Sequence, residues 1–236
     1  MCAPALQARP IRPGNPLAFT GTGCPAKGTA SCKGRCGADL AGSAPAEARQ
    51  AGGRLPIAVS KEFVADILSP YKAHARYLKS ASITGFRDKA SGDDNSALVA
   101  ATGQFSIPES CYIEDTGHFN AVEFNICFNQ LAYVMFGKCV AEGLMGRLRF
   151  ERVEVPTFSE FKRLQLPNMV IVNIESRYYR QLDSRSFTGT LRLERVSPVG
   201  GAWFFFTSMT FADREGVKAK GSVVLAFSPS FTPLAH

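Results

Sequence analysis

An α+β fold, with one long buried helix wrapped by a curved antiparallel sheet, is predicted by three features of the sequence. Residues 119–136 are a helix-length run that is apolar on almost every side, its polar members being Asn120, Glu123, Asn125, Asn129 and Gln130. A helix that is apolar all round is a buried one. Two strand-like segments precede this run, and about four follow it at close spacing, the order of an α+β domain. Polar groups on a buried helix must find partners or do chemistry, so fold and function are both argued from this run.

Ordered structure is expected from about Leu55. Ser60 is a good N-cap, and Phe63, Val64, Ile67 and Leu68 share one helical face. The helix ends at Ser69-Pro70, because the residue before proline is driven out of the α region. Residues 77–84 alternate loosely, as in a strand. Residues 89–96 read as a turn, and 98–107 as a second strand, antiparallel to the first if the connection is a hairpin. The central helix starts near Phe119 or Asn120 and is about 25 Å long at 1.5 Å per residue. Gly137 is expected to break it, with a shorter helix over 138–144 and another over 159–164. Strands are expected over 169–179, 187–196, 203–211 and 221–227. Residues 213–216 (Asp-Arg-Glu-Gly) turn the last hairpin. A long helix enclosed by such a sheet is the hot-dog architecture, here a single domain.

The chain has 236 residues and a net charge of +7, but the charge is unevenly placed. Residues 1–54 carry seven basic and two acidic side chains, whereas 55–236 carry 20 and 18. The folded part is nearly neutral and has no nucleic-acid footprint. Residues 1–54, rich in Ala, Gly, Pro, Arg and Ser, read as a disordered or leader segment, and 55–236 as the domain. Cys24, Cys32 and Cys36 lack a nearby fourth ligand, so no metal and no cofactor is expected. No apolar run reaches the roughly 20 residues of a membrane span. The seven cysteines are an odd number, which argues against a closed disulfide framework. Cys111, Cys127 and Cys139 read as reduced core residues and the compartment as cytoplasmic.

Ser69-Pro70-Tyr71, Glu109-Ser110 with Tyr112-Ile113, Thr116-Gly117-His118-Phe119-Asn120-Ala121-Val122-Glu123 and Cys127-Phe128-Asn129-Gln130-Leu131-Ala132-Tyr133 together resemble the FcoT-like thioesterase family of actinobacteria. Met169, Ser176-Arg177 and Leu182 fall where that family has its next recognisable strand. The resemblance covers about 60–230. It implies a hot-dog fold, a long-chain acyl-thioester site and a choice of two reactions. One is addition of glycine to C3 of a (2E)-enoyl thioester on an acyl carrier protein (ACP), a step towards isonitrile lipopeptides. The other is hydrolysis of a long-chain acyl-CoA or acyl-ACP. Hot-dog domains also occur as non-catalytic acyl-binding modules, and they usually pair, so a homodimer or higher oligomer is expected by resemblance.

Thr116-Gly117-His118-Phe119 also resembles the histidine motif of hot-dog β-hydroxyacyl-ACP dehydratases, where the imidazole moves a proton at C2/C3. A histidine serves as acid or base near neutrality, so His118 is a catalytic candidate; the bland alternative is a helix cap. The acid of that dehydratase pattern would fall at Ile126, a departure. Glu123, three residues earlier and on roughly the same face, is either the base of a thioesterase or a buried acid tied to the backbone or a Tyr. The resemblance also places Tyr112 and Asn129 at the pocket as catalytic candidates and Tyr71 and Asn120 as substrate-binding ones; Tyr and Asn donors can hold a thioester oxygen or a water. Asn120 and Asn129 lie about half a turn apart in angle, so they need not share a site. Arg177 is a fork for a glycine carboxylate or an ordinary surface ion-pair residue. Phe124, Phe128, Met135, Phe204 and Phe206 are candidates to line an acyl-tail pocket. The mixture of a dehydratase-like histidine with no matching acid leans towards addition across a 2-enoyl thioester.

Overall fold

The computed structural model describes residues 55–87, 97–114, 119–148 and 155–228. The 1–54 leader, the 89–96 turn and Thr116-Gly117-His118 therefore lie outside the described residues. The elements run β1 (Ile57–Val59), α1 (Lys61–Ile67), a 3-10 turn (Ala73–Ala75), β2 (Leu78–Phe86), β3 (Val99–Phe105), α2 (Ala121–Ala141), α3 (Leu144–Arg147), α4 (Phe158–Leu164), β4 (Met169–Tyr178), β5 (Phe187–Val199), β6 (Ala202–Asp213) and β7 (Gly216–Phe227). The strands form one seven-stranded antiparallel sheet in the order β1-β2-β3-β5-β6-β7-β4. α2 lies against the face on which this sheet buries its side chains. This is the expected α+β hot-dog domain.

Strict alternation aims the sheet. Along β6, Trp203, Phe205, Thr207, Met209 and Phe211 are buried, and the residues between them are half-exposed. Successive strand side chains point to opposite faces, so the buried set faces α2. Phe136 of α2 stacks 4.6 Å from Phe205, and Phe124 meets Phe211 edge-on at 5.1 Å. Phe204 and Phe206 fall on the other face, where the Arg195 guanidinium sits 3.6 Å from the Phe206 ring centre. That corrects the expectation that they line a tail pocket beside the helix: their parity is wrong. Phe124, Phe128 and Met135 are fully buried core.

Gly137 does not break the helix. α2 runs unbroken for 21 residues. A Cβ on Gly137 would lie 2.9 Å from Ile67 Cδ1 and 3.1 Å from Phe161 Cε1. The glycine marks the close approach of α1 and α4 to α2; packing outweighs its weak helix propensity. β1 gave no sequence signal, being three residues long. It exists because it pairs with β2, Ile57 opposite Ile83. β4 follows α4 in sequence but crosses to the far edge beside β7, Met169 opposite Phe227. Among the described residues one side of β4 has no neighbouring strand.

Candidate functional site

The site is built around the first turn of α2. Asn120 is the N-cap: its Oδ1 accepts the Val122 N–H at 2.8 Å, and the Asn120 N–H donates back to Glu123 Oε2 at 3.3 Å. This is a capping box, with orphan helix donors satisfied reciprocally. The other Glu123 oxygen, Oε1, accepts from the Ser110 hydroxyl at 3.3 Å. Glu123 is 2% exposed, and both of its oxygens are engaged.

Three consecutive residues before the helix are strapped to the body of the domain. Ser110 donates to Glu123. The Cys111 N–H donates to the Tyr77 hydroxyl at 2.7 Å, and the Asn120 amide donates to the Tyr112 hydroxyl at 2.7 Å. The segment has no regular structure, so side chains supply what a ladder would otherwise provide. Its outer side and His74, on the 3-10 turn, line an open surface depression of about 430 Å³.

That turn is fixed from below by Gln130. The Gln130 carbonyl accepts the N–H groups of Tyr77 and Leu78, each at 2.9 Å, and its amide donates to the Ala75 carbonyl at 2.6 Å. Gln130 has no exposed surface, so these three bonds are what make a buried amide tolerable. Arg76 closes the other side, donating through Nε to the Tyr71 carbonyl at 2.9 Å and through Nη2 to the Ser69 carbonyl at 3.1 Å.

Inside the strap the titratable groups hold their protons. Burial pushes the Tyr71 hydroxyl well up, with Tyr133 and Cys127 nearby adding to the effect. Burial does the same to Tyr77. The Cys127 thiol is raised by complete burial and then by the neighbouring Glu123 and Cys111. The thiol of Cys139, further along α2, is pushed by burial to about 12. With their proton loss pushed upward, these groups stay neutral near pH 7 and are neither bases nor nucleophiles there.

Of the residues singled out in the sequence, the structure brings Tyr112, Asn120 and Glu123 into one network. Tyr71 lies near Tyr133 and Cys127. Asn129 stands apart, its amide donating to Asn125 Oδ1 one turn back at 3.2 Å. Ile126, at the dehydratase acid position, is half-buried on the same stripe of α2. Arg177 is exposed on β4. Its neighbour Tyr178 faces inward, 6.2 Å from Phe124 and 6.4 Å from Phe119 between ring centres, so alternation sends Arg177 to the opposite face. His118 lies outside the described residues. Sequence reasoning gave Ser110 and Tyr133 no role beyond their place in the family motifs, and passed over Tyr77, Tyr178 and His74. Tyr77 had no local signal, because it acts across the strap. Among the described residues no group of three or more His, Cys, Asp or Glu is placed to hold a metal ion.

The geometry defines a hot-dog domain whose central helix begins under a strap held by the side chains of Tyr77, Asn120 and Glu123. Residues 66–227, more than half of the chain, match the family described as the FcoT-like thioesterase domain. The chain belongs to that family. It is 37% identical over 166 residues to a (2E)-enoyl-[ACP] glycyltransferase of Streptomyces coeruleorubidus, covering 68% of this chain and 92% of that one. It is 35% identical over 192 residues to a protein of the same name from Mycobacterium marinum, covering 80% and 95%. Among solved structures it is similar to zebra fish thioesterase superfamily member 2, at 10% identity and a TM-score of 0.40 over 71% of this chain and 95% of that one.

Proposed function

We propose that this protein is an enzyme that adds glycine to C3 of a (2E)-enoyl thioester carried on ACP, and that residues 55–236 form its single acyl-thioester domain. The observation that carries the reading is the state of Glu123. Hydrolysis needs an activated water, and a free carboxylate is its usual activator. Glu123 is committed to the capping box and to Ser110. Conjugate addition asks for less: donors that polarise the thioester carbonyl, and a proton delivered to C2. Protonated Tyr71, Tyr77 and Tyr133 suit the first task, and the names of the two relatives support the same reaction. Hydrolysis of a long-chain acyl-CoA or acyl-ACP is the second reading, favoured by the family's description. Tyr112 and Asn120 stand at the substrate end of the helix in either case. Asn129 and Arg177 complete the proposed set, Arg177 as a fork for the glycine carboxylate.

The reading as a homo-oligomer is supported by β4. Val170, Val172 and Ile174 are exposed along a ten-residue strand with one side unpaired among the described residues, and such an edge invites a strand from another copy. No described helix is long and apolar enough to cross a membrane.

The test is intact-mass analysis of a (2E)-enoyl-ACP incubated with the protein, with and without glycine. A carrier-bound adduct heavier by one glycine supports addition. Free carrier released equally in both tubes makes the protein a thioesterase.

A further inference from the structure

We propose that His74 is a catalytic residue: the depression between the 3-10 turn and the 109–114 strap admits the amine nucleophile, and the His74 imidazole takes the amine's proton. The assignment rests on the amine-addition reading above.

An amino acid arrives at neutral pH with its nitrogen protonated, and the cation has no lone pair to give. A base must therefore stand where the nitrogen enters. Around the start of α2 the described groups are of the wrong kind. Tyr71, Tyr77 and Cys127 hold their protons, Asn120 is an amide, and both Glu123 oxygens are occupied. His74 is different. It is exposed, it lines the same depression as Tyr112, and none of the hydrogen bonds among the described residues engages its ring. Imidazole is the side chain whose ordinary titration falls in the neutral range.

The surroundings fit a cationic guest. Glu109 and Glu114 line the depression opposite the turn, with Ser110, Cys111 and Tyr112 between them. Two carboxylates attract an ammonium group. On the turn's own segment, Lys72 is exposed, and Arg76 is turned back onto the Ser69 and Tyr71 carbonyls. The turn is also rigidly held, because Ala75, next to His74, is bonded to Gln130 from within α2. A base on an anchored turn keeps its aim.

The step balances without a cofactor. Neutral His74 takes one proton from the ammonium nitrogen. The nitrogen lone pair forms the bond to C3, and the C2=C3 electron pair moves onto the thioester as an enolate. C2 then receives one proton, supplied by the imidazolium or by the new secondary ammonium. No bond to sulfur breaks and nothing is oxidised or reduced.

The experiment uses the full chain, (2E)-decenoyl-ACP and glycine, with adduct formation followed by intact mass from about pH 5 to 8, the range over which imidazole titrates. His74→Gln and His74→Ala are expected to lower the rate at saturating enoyl-ACP by at least about 100-fold, the low end for a lost general base. Both should also abolish the acid limb of the pH profile, leave circular dichroism unchanged and regain rate when imidazole is added to His74→Ala. Wild-type rate and an unaltered acid limb in His74→Gln would overturn the assignment while leaving amine addition standing. If the wild-type protein forms no glycine adduct, amine addition itself fails, and the role of His74 falls with it.

Discussion

Replacing Gln130 with leucine tests the framework on which the site hangs. Leucine is similar in size, so the change removes hydrogen bonding with little loss of volume. Three backbone groups lose their partner: the N–H of Tyr77, the N–H of Leu78 and the carbonyl of Ala75. All three are on the segment that joins the 3-10 turn to β2, and Tyr77 and Leu78 are buried. A buried backbone group left unsatisfied costs about 1–3 kcal/mol. The two N–H groups share a single oxygen, which argues for the lower part of that range. The expected loss is about 3–6 kcal/mol, a large share of the roughly 5–15 kcal/mol that holds an ordinary domain together. At a urea slope of about 2–3 kcal/mol per molar, the unfolding midpoint should fall by about 1–3 M. Equilibrium urea unfolding followed by tryptophan fluorescence reads this directly, since Trp203 is the single tryptophan and is buried. A midpoint equivalent to less than about 1 kcal/mol of destabilisation would refute the reasoning. It would mean that water or a rearranged backbone satisfies the three groups.

Three further outcomes follow from the same structure. Gly137→Ala places a methyl group against Ile67 and Phe161 and should cost about 1–3 kcal/mol by overpacking, against the gain that helix propensity alone predicts; a stabilised variant in thermal unfolding would contradict the close-approach account. Glu123→Gln keeps a side chain able to complete a capping box, so glycine addition should stay within several-fold of wild type, whereas a loss of 100-fold or more would make Glu123 a base after all. The Lys218–Asp213–Glu215 cluster at the β6–β7 turn predicts a pH dependence of stability. Burial by itself raises the Asp213 carboxyl, but the N–H groups of Glu215 and Asp183 and the Lys218 ammonium bring it below the ordinary value. Its contribution is therefore present above about pH 4 and lost as pH falls through the folded-state value. Lys218, raised first by its bond to Glu215, contributes below about pH 10.4 and loses that contribution as pH rises through its folded-state value. Asp213→Asn should flatten the acid side of the stability–pH curve, and an unchanged acid side would count against the cluster.

What the sequence revealed is what is local or periodic. The α2 pattern and the Ser60 cap are each contained within one element, so each could be read without knowing its neighbours. What it hid depends on distant partners. Gly137 looks like a helix breaker until Ile67 and Phe161 are seen against it. Phe204 and Phe206 look like pocket lining until the parity of β6 is fixed by Trp203 and Phe205 packing inward. The site divides the same way. Asn120 and Glu123 were legible as polar residues at a helix start, and the capping box is the bland reading of Glu123 realised in atoms. Ser110 was read only as part of a family motif, and Tyr77 and His74 carry none. They matter because the strap and the 3-10 turn fold onto α2, contacts that span 13 to 55 residues. Arg177 was legible as a residue type suited to a carboxylate, and the strand leaves it exposed.

The measurement closest to the central claim is a single turnover of (2E)-decenoyl-ACP with glycine in heavy water, followed by return to ordinary water and intact-mass and fragment analysis of the carrier-bound product. Addition predicts one glycine at C3, one deuterium retained at C2 and a thioester still joined to the carrier. Carrier released as free thiol, with the acyl chain recovered as a carboxylic acid whether or not glycine is present, would contradict it.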